Sequence, residues 1–408
     1  MGKAGAVRPG TRAPAAASSG SARPAGWVQA VRRVPTASIL VVLVAALCVI
    51  GMVMVGSASE VISLGLYGSP WYILVREGIW MAIGVVALVV ACRMDYRRWQ
   101  SLRLLLIVGT FFMLVAVLVP GVGVSSGGSS RWIGFSQLRI QPSELMKLAL
   151  AVFGADLVVR RVTEGRGYRT IVGPLIMVAA AAAVLIVAQP DMGTALVLGA
   201  ITMALLFASG VPMRPVLKLI GGLAVLALVV GLADPYRRAR LLSFLNPGAH
   251  QSGSGYQVLQ SLIGLGSGHL FGLGLGNSHE KWGLLPNAHT DFIFSVIGEE
   301  LGLVGALGVL ALLGAFVWFG LRAAARAPDR FGSLLAVGLV AWIGSEALIN
   351  VGAVVGLLPV TGIPLPFISF GGSSLVITMV AAGILINIAR QERVPAGTVA
   401  RARRTPPP

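Results

Sequence analysis

Long apolar runs alternate with short polar gaps along most of the chain. A helix crosses the roughly 30 Å hydrocarbon core of a bilayer with about 20 apolar residues, and tilt accommodates longer runs. The pattern therefore predicts an all-α polytopic membrane protein with about ten transmembrane helices. The runs fall at residues 37–57, 70–92, 103–120, 143–160, 170–189, 192–210, 215–233, 291–321, 331–358 and 373–390.

The composition agrees with this class, because 56% of the 408 residues are hydrophobic and only 12% are charged. The mean hydropathy is +0.85, and the 53 glycines suit close packing of helices in lipid. A net charge of +17 would fit nucleic acid, but the basic residues stand in short clusters between apolar runs. We therefore expect no nucleic-acid partner. The two cysteines show neither disulfide nor metal-ligand spacing.

The distribution of Lys and Arg predicts the orientation of the helices. Three quarters of the 32 basic residues lie at the two ends of the chain and in alternate gaps. Cytoplasmic gaps carry such an excess, so both termini are predicted to lie in the cytoplasm, as an even number of spans requires. The opposite gaps then face outward, which makes the large loop 234–290, between helices 7 and 8, extracytoplasmic.

Two basic tails flank the predicted membrane domain. Residues 1–34 are rich in Ala, Pro, Gly, Ser and Arg and lack an apolar run, which is typical of a disordered tail. The segment is too long and too polar for a cleaved signal peptide, so we expect it to be retained. The predicted domains are thus a disordered basic cytoplasmic tail 1–34, a transmembrane domain 35–390 and a second such tail 391–408.

The outer gaps differ in length and composition. The loop 234–290 is by far the longest, and loops of this size are usually functional. The gap 121–142 is rich in Gly and Ser. The segment 359–374 is apolar yet too rich in Pro and Gly for a helix, which predicts irregular backbone that re-enters the membrane and lines a cavity. The chain shows no internal repeat, which weakens an inverted-repeat transporter interpretation.

The stretch 286–302 combines a polar loop, the start of an apolar run and three carboxylates, those of Asp291, Glu299 and Glu300. The chain has only 15 acidic residues, and an acid at a membrane entrance is costly to keep, which makes it a functional candidate. The alternative is structural. Asp291 would cap the following helix, and Glu299 and Glu300 would pack against other polar groups.

Other polar residues in or beside the spans have more than one interpretation. Glu144 and Lys147 lie three positions apart at the start of the fourth span, so they form either a structural ion pair or part of a site. Asp191 fits a helix cap slightly better than a site. Glu346 and Asn350 are predicted to be a buried polar pair that packs against another helix.

Several cations share the predicted outer face, and they suit either an anionic substrate head group or the phosphates of membrane lipids. They are Arg131, Arg139, Lys147, Arg237, Arg238, Arg240 and Lys281. The four histidines show no metal-ligand spacing, so we expect no dedicated zinc site. The glycine-rich segment 264–276 could hold phosphate through its amides, but flexibility is the interpretation that we prefer.

Six motifs, in this order along the chain, resemble the SEDS family (shape, elongation, division and sporulation). They are Gln141-Pro-Ser-Glu144-Leu-Met-Lys147, Gln189-Pro-Asp191-Met-Gly-Thr194, Gly255-Tyr-Gln257-Val-Leu-Gln260-Ser-Leu, His289-Thr-Asp291-Phe-Ile-Phe, Gly298-Glu-Glu300-Leu-Gly302, and Pro364-Leu-Pro366 with Gly371-Gly-Ser-Ser374. The resemblance implies a ten-helix protein of the bacterial inner membrane that polymerises peptidoglycan glycan strands from lipid II. It also implies a class B penicillin-binding protein as transpeptidase partner, together with other divisome proteins.

Pro235-Tyr-Arg237-Arg238-Ala-Arg240, leading into Phe244-Leu-Asn-Pro247, resembles the division branch of the family more than the elongation branch, which implies septal wall synthesis. An elongation or sporulation polymerase is the alternative within the family. Three positions depart from the usual pattern: Asn287 replaces a usual Glu, Glu346 a usual Gln, and Phe370 a usual Tyr. The motif thus supplies no second carboxylate beside the aspartate that follows it.

The resemblance maps the family's catalytic aspartate onto Asp291. Joining two sugars requires the acceptor hydroxyl to lose its proton as it attacks the donor's anomeric carbon, and a carboxylate can take that proton. The pyrophosphate leaving group needs its charge neutralised by cations or by a divalent ion, Mg²⁺ or Mn²⁺, whose ligands the sequence does not fix. The residues predicted to bind substrate are Lys147, Glu144, Arg131, Gln257, Gln260, Ser261, His289, Thr290 and Ser373.

Two other classes of function compete with the enzyme. A lipid II flippase would favour charged groups in mid-membrane, but the span interiors hold little beyond Glu346 and Asp156, while acids gather at the outer face. A scaffold that recruits division partners through its tails is the third class. Deleting residues 1–34 and 391–408 would separate it, because an enzyme core should remain active without them.

Overall fold

The computed structural model describes residues 35–392, apart from 127–128, 136–137, 166, 213, 215, 218–220 and 223–253, together with Gly2. The predicted tails 1–34 and 391–408 lie outside the described residues, except for Gly2, Gln391 and Glu392. Most of the seventh predicted span and the first part of the long loop also lie outside them.

The described residues contain ten α-helices, and nine of these coincide with nine of the ten predicted spans. In chain order the helices are α1 (Thr36–Tyr67), α2 (Tyr72–Arg93), α3 (Arg97–Leu118), α4 (Pro142–Thr163), α5 (Arg169–Ala188), α6 (Met192–Ala208), α7 (Ser254–Ser267), α8 (Ile293–Arg326), α9 (Arg330–Val354) and α10 (Ser373–Arg390). Seven of them, α1, α2, α3, α5, α8, α9 and α10, are long and apolar enough to cross a membrane. The predicted polytopic helical fold is therefore confirmed.

Helices α4 and α10 form the centre of the bundle. Nearly every residue of α4 from Pro142 to Val158 is buried, including the charged Glu144, Lys147 and Asp156. The helix packs against α3, α5, α6, α9 and α10, which shield it from the surroundings. By contrast α2 and α3 expose large apolar side chains, as expected of helices that face lipid. Three charged side chains are thus buried on a helix that its neighbours enclose.

The segment after α3 forms a small sheet that the sequence analysis did not predict. Strands β1 (Val124–Ser126), β2 (Ser129–Phe135) and β3 (Leu138–Ile140) pair antiparallel in the order β1-β2-β3. In the register Ile133 is opposite Ile140. Strand β2 contains the run Arg-Trp-Ile, and its aromatic and β-branched residues favour a strand between Gly and Ser residues that favour turns. The all-α prediction therefore needs this one addition.

Helix α8 is broken, although the sequence predicts one continuous span here. Gly302 adopts φ 69° and ψ −169°, which is not helical. The break frees backbone groups on both sides, and the segment 268–280 satisfies four of them. These bonds run from the amides of Leu273 and Gly274 to the carbonyls of Glu299 and Glu300, and from the amides of Leu303 and Val304 to the carbonyls of His269 and Leu270. A break inside an apolar helix is tolerated when protein groups satisfy the backbone in this way.

Two glycines of the segment 264–276, Gly268 and Gly272, pack tightly against α8, a role that the preferred interpretation of flexibility did not include. A Cβ built on Gly268 would lie 1.9 Å from the carbonyl oxygen of Gly298. One built on Gly272, whose φ is +80°, would lie 2.1 Å from the carbonyl oxygen of Glu300. Only glycine allows the two backbones to approach this closely.

The segment 359–372 has irregular backbone, as predicted, and we call it the irregular segment. Most of its side chains are buried, among them Ile363, Leu365 and Ile368. It packs against α1, where a Cβ on Gly51 would lie 2.7 Å from the Cα of Ile368. Non-helical backbone surrounded by protein in this way has its polar groups shielded from lipid.

Candidate active site

The turn before α8 presents Asp291 close to the start of that helix. The carbonyl of Asn287 accepts hydrogen bonds from the amides of Thr290 (3.0 Å) and Phe292 (3.4 Å). Asn287 has a φ of 61°, a left-handed conformation that Asn adopts more readily than most residues. The Asn that replaces the family's usual Glu therefore suits the geometry of this turn.

The Asp291 side chain faces the irregular segment. Helix α8 begins at Ile293 and Phe292 holds its N-cap position, so the alternative in which Asp291 caps the helix is wrong. The residue is half-buried, and a Cβ built on Gly362 would lie 3.5 Å from its Oδ2. Gly362 has a φ of +76°, a conformation that favours glycine. The Asp291 carboxylate thus lies against the backbone of a single glycine, Gly362.

Asn350 on α9 ties the backbone of Asp291 to the irregular segment. Its Nδ2 donates to the carbonyl of Asp291 (2.7 Å) and to the carbonyl of Ile363 (2.8 Å). The side chain is buried, and a buried amide with both donors satisfied fixes the groups that it joins. Asn350 and Glu346 are both buried as predicted, but they bind different partners.

His289 and Phe370 join the same turn to the end of the irregular segment. The Phe370 amide donates to the His289 carbonyl (3.1 Å), and the two rings lie 5.7 Å apart between centroids. Burial lowers the pKa of His289 to about 4, so the imidazole is neutral at neutral pH. The side chain is therefore an uncharged polar group in this turn. Thr290, next to it, is half-buried.

A buried ion cluster lies at the start of α4. Lys147 Nζ is 2.7 Å from Glu144 Oε1 and makes a short contact with Glu346 Oε1. Ser374 Oγ donates to Glu144 Oε2 (2.8 Å), and Lys147 Nζ lies 5.0 Å from the centroid of the Trp342 ring. The lysine is 1% exposed, so it reaches a substrate only if this packing opens. The substrate-binding role of Glu144 and Lys147 stays a prediction.

The starts of α4, α6 and α10 meet beside this cluster. Asp191 caps α6 by accepting from the Thr194 amide (3.2 Å), so the preferred interpretation as a cap is confirmed. Its Oδ2 also accepts from Gln141 Nε2 (3.1 Å) and Ser143 Oγ (3.2 Å). The backbone amide of Gln141 donates to Ser373 Oγ (3.3 Å). Three of the motifs that resemble the SEDS family therefore converge in space.

Arg131 reaches the same region from strand β2. Its Nε donates to the carbonyl of Gln189 (3.0 Å), and its Nη2 makes a short contact with the carbonyl of Pro190. These bonds hold the turn before α6 against the sheet. The side chain remains half-buried, and its role in binding substrate stays a prediction.

Helix α7 brings Ser261 into contact with both α8 and α9. Ser261 Oγ donates to the Val354 carbonyl (2.8 Å), and the Ser261 carbonyl accepts from Ser295 Oγ (2.8 Å). Ser261 is fully buried, whereas Gln257 and Gln260 on the same helix are half-buried. Of the three predicted binding residues on α7, only the two glutamines are partly accessible.

The remaining outer cations are distributed unequally. Lys281 is buried and binds the carbonyl of Gly276 (2.5 Å) and Glu60 (3.3 Å), so a contact with lipid phosphates is not its role in this structure. Arg139 lies on strand β3. Arg237, Arg238 and Arg240 lie outside the described residues.

The structure thus brings six of the ten predicted site residues into two neighbouring groups, and Arg131, Gln257, Gln260 and Ser261 lie outside them. Asp291, His289 and Thr290 form one with the irregular segment, and Glu144, Lys147 and Ser373 belong to the other. Two residues on one face of α9 connect the groups, because Glu346 binds Lys147 and Asn350 binds the backbone carbonyl of Asp291. Sequence reasoning missed Gly362 and Ser374, and it did not assign Glu346 to Lys147. The spacing of four between Glu346 and Asn350 was the available signal, since it places both on one side of a helix.

Among the described residues, no group of three or more His, Cys, Asp or Glu side chains is arranged to hold a metal ion. Mg²⁺ is commonly held by substrate phosphates together with one or two carboxylates, and the half-buried Asp291 supplies one such carboxylate.

Comparison with known proteins agrees with this geometry. Residues 38–394 match the FtsW/RodA/SpoVE family model, which is described as a cell cycle protein. Stage V sporulation protein E of Bacillus subtilis is 41% identical over 357 residues, 87% of this chain and 97% of that protein. The probable peptidoglycan glycosyltransferase FtsW of Geobacter metallireducens is 40% identical over 354 residues, 86% and 93% of the two chains. That of Mycobacterium tuberculosis is 42% identical over 381 residues, 92% and 72%.

Two solved structures share the fold. A chain of a peptidoglycan synthase complex, described as coordinating polymerization and crosslinking, aligns with a TM-score of 0.70 at 30% identity, covering 86% of this chain and 97% of that chain. The rod shape determining protein RodA of Thermus thermophilus aligns with a TM-score of 0.65 at 28% identity, covering 87% and 97%. The fold and these matches define a multi-pass membrane protein of the cell-cycle class. The chain belongs to the FtsW/RodA/SpoVE family, which is the SEDS family that its motifs resemble.

Proposed function

We propose that this chain is a peptidoglycan glycosyltransferase that polymerises lipid II into β-1,4-linked glycan strands on the outer face of the inner membrane. Relatives at 40% and 42% identity carry the name peptidoglycan glycosyltransferase, and they match over 86% and 92% of the chain. The observation that carries the proposal is the half-buried Asp291 carboxylate beside Gly362, on a residue whose backbone carbonyl accepts a hydrogen bond from Asn350 Nδ2.

In the proposed reaction, Asp291 acts as the general base. The acceptor sugar's hydroxyl oxygen forms a bond to the donor's anomeric carbon while its proton passes to the Asp291 carboxylate. The bond between that carbon and the pyrophosphate oxygen breaks, and the lipid pyrophosphate leaves with the electron pair. Attack from the face opposite an α-linked pyrophosphate gives the β-linked product. A pyrophosphate needs no proton to leave, so a single carboxylate suffices, unlike in glycosidases with two.

The binding proposal separates two kinds of residue. His289, Thr290, Gln257, Gln260 and Arg131 are all half-buried, so a substrate could contact them in the described conformation. Ser261, Glu144, Lys147 and Ser373 are buried, and they would support the site from beneath unless binding opens the packing.

A divalent cation, Mg²⁺ or Mn²⁺, is proposed as cofactor, carried on the pyrophosphate of the substrate. Its charge would stabilise the negative charge that develops on the leaving group. The half-buried Asp291 carboxylate would help to hold the ion. Removal of divalent ions with EDTA should slow polymerisation by the wild-type chain, and added Mg²⁺ or Mn²⁺ should restore it.

The partners and the cellular site are also proposed. Since a matched structure is a peptidoglycan synthase complex described as coordinating polymerization and crosslinking, we propose a class B penicillin-binding protein as the partner of this chain. Other divisome proteins and the surrounding membrane lipids are the further proposed partners. Septal wall synthesis is the proposed role, supported by FtsW relatives at 40% and 42% identity. The 41% identity to stage V sporulation protein E supports the sporulation alternative to the same degree.

The decisive test is polymerisation of purified lipid II by the full chain, with and without a penicillin-binding partner. Asp291→Asn preserves the size of the side chain but cannot accept the proton, so we expect no glycan product above background. Asp95→Asn, an exposed aspartate between α2 and α3, is the matched control and should polymerise normally. Near-normal product from Asp291→Asn would overturn the general-base role.

The orientation is tested separately. Cysteines introduced at Ser126 and Ser254 should react with an impermeant thiol reagent from outside the cell membrane, whereas one introduced at Gly165 should not. The reverse labelling pattern would overturn the cytoplasmic placement of both termini and the outer placement of Asp291.

A further inference from the structure

A second polar cluster lies on α8, about two helical turns beyond Asp291, and the proposed reaction does not use it. Glu299 and Glu300 are 1% and 0% exposed. Within the described residues, their carboxylates accept hydrogen bonds from hydroxyls and backbone amides and form no ion pair with Lys or Arg. Two adjacent buried acids held in this way are costly, so they need a specific reason.

The break at Gly302 divides α8 into two helices that meet at a kink. Residues 293–301 form a short helix whose direction is not continued by the longer helix 303–326. Asp291 lies directly before the short helix. The position of its carboxylate therefore depends on what holds the short helix, and the remainder of α8 alone does not fix it.

Residues 268–280, which we call the outer clamp, hold the short helix at its far end. Four backbone hydrogen bonds join the clamp to the two sides of the break, as described above. Gly268 and Gly272 bring the backbones into direct contact, since a Cβ on either residue would overlap a carbonyl oxygen of the short helix.

Glu299 and Glu300 bind the last residues of the outer clamp, 278–280. Glu299 accepts from the amide of His279 (3.0 Å), from Ser278 Oγ (2.5 Å) and, at longer range, from the amide of Glu280 (3.4 Å). It also lies 3.2 Å from His279 Nδ1 and 3.4 Å from Ser267 Oγ. Glu300 accepts from the Ser278 amide (3.4 Å) and from Ser57 Oγ on α1 (2.6 Å).

The short helix is thus fixed at both ends and on several sides. Glu299 and Glu300 join it to the outer clamp and to α1, while Ser295 joins it to α7 through the Ser261 carbonyl. At the other end Asn350 holds the Asp291 carbonyl. A site that is supported from several sides can hold a reacting group within the narrow tolerance that catalysis needs.

We propose that Glu299 and Glu300 are positioning residues, which act through the short helix to hold the Asp291 carboxylate against the irregular segment. The inference rests on the proposed function, in which Asp291 takes the acceptor's proton. Neither glutamate contacts the reacting atoms in this proposal. Their substitution should therefore reduce turnover and leave the affinity for lipid II nearly unchanged.

The first test is Glu299→Gln, assayed as the full chain in lipid II polymerisation. The glutamine side chain keeps one acceptor oxygen, but its NH₂ group replaces the other oxygen and faces donors of the outer clamp. Some of the hydrogen bonds between position 299 and residues 278–280 are therefore lost. We expect kcat to fall by about tenfold to a hundredfold, the effect of a displacement of roughly 1 Å, with KM for lipid II within about twofold of the wild type. Glu164→Gln is the matched control, because the Glu164 side chain is 45% exposed beyond the end of α4 and, within the described residues, has no contact with the outer clamp, and it should leave both constants unchanged.

Ser278→Ala keeps the test decisive if Glu299→Gln does not fold. It removes one hydroxyl donor and leaves the backbone of the clamp intact, so we expect a several-fold fall in kcat with the same unchanged KM. In a double variant, Ser278→Ala should add little to Glu299→Gln, because both changes break the same bond.

The outcomes separate this inference from the proposed function. If Asp291→Asn is inactive while Glu299→Gln and Ser278→Ala both retain the wild-type kcat, the positioning role is overturned and the general base stands. A rise in KM at constant kcat would also overturn it, since it would indicate a binding role. If Asp291→Asn is active, both proposals fail.

Discussion

Helix α4 carries a charged cluster near each end, and the two are built differently. At its start, Lys147 lies between Glu144 and Glu346, and all three side chains are at most 3% exposed. Near its end, Asp156 is fully buried, but its partners Arg103 and Arg160 are 24% and 44% exposed. One cluster is shut off from water, while the other has a buried acid whose bases extend to the surface.

The difference shows what each cluster can tolerate. The long side chains of Arg103 and Arg160 keep their charges hydrated while their stems stay in the helix bundle. Asp156 therefore needs little beyond two ordinary ion pairs and a bond from Gln100 Nε2 (2.9 Å). The cluster of Lys147 has two carboxylates for one cation and no water to compensate, so every member depends on the others.

Removing Lys147 should have the largest effect on stability. Lys147→Met leaves Glu144 and Glu346 buried and facing each other without a cation, at a cost of about 3–5 kcal/mol in the free energy of unfolding. Denaturant or thermal unfolding of the purified protein measures this. Arg160→Met at the other end is the matched control and should cost less than about 1 kcal/mol, because its partner keeps Arg103. Equal losses would contradict the comparison.

Neutralising the whole first cluster should restore most of that loss. Exchanging only Glu144 and Lys147 for neutral residues leaves Glu346 buried without its cation. The triple variant Glu144→Gln, Lys147→Met, Glu346→Gln removes all three charges and should recover all but about 1–2 kcal/mol. If it folds but makes no glycan, the cluster belongs to the substrate site. If it polymerises normally, the cluster is architectural.

Asp156→Asn should have a smaller effect on stability. Asn retains the bond with Gln100, and both arginines can be hydrated once the carboxylate is gone, so we expect a loss of about 1–2 kcal/mol in the free energy of unfolding. Polymerisation should be unaffected. A loss as large as that of Lys147→Met would contradict the comparison, because it would mean that the partial exposure of Arg103 and Arg160 does not reduce the effect of the substitution on stability.

The smallest effect is a dependence of stability on pH. Burial, and next the nearby Glu299, raises the pKa of Glu280 from 4.5 to about 7, so its ionisation lowers stability as the pH rises between these values. Burial lowers the pKa of His289 from 6.5 to about 4, so the contribution of His289 makes stability rise with pH between about 4 and 6.5. Glu280→Gln removes the falling contribution. The melting temperature of the variant, relative to wild type, should therefore rise from about pH 4.5 to 7, and a difference that is independent of pH would contradict the assignment.

The periodicity of the sequence was sufficient for the helices, because runs of about 20 apolar residues have few alternatives in a membrane. It could not predict the break at Gly302, since a glycine within an apolar helix has the same pattern whether or not a distant segment bonds to it. The site was partly predictable for a related reason. Asp291, Glu144 and Lys147 stand out as charges among apolar residues. Gly362 has no side chain to signal its function, and the pairing of Glu346 with Lys147 is a contact between helices.

The buried cluster of α4 also has a consequence for the order of synthesis. Helix α4 is not among the helices apolar enough to cross a membrane by themselves. Glu346 follows Lys147 by 199 positions, so at a translation rate of about 5–20 residues per second it emerges roughly 10–40 s later. Throughout that interval Lys147 has only Glu144 as a partner from the cluster, and α4 lacks the shielding of α9. The cluster around Lys147 is therefore completed only when α9, far along the chain, has been synthesised.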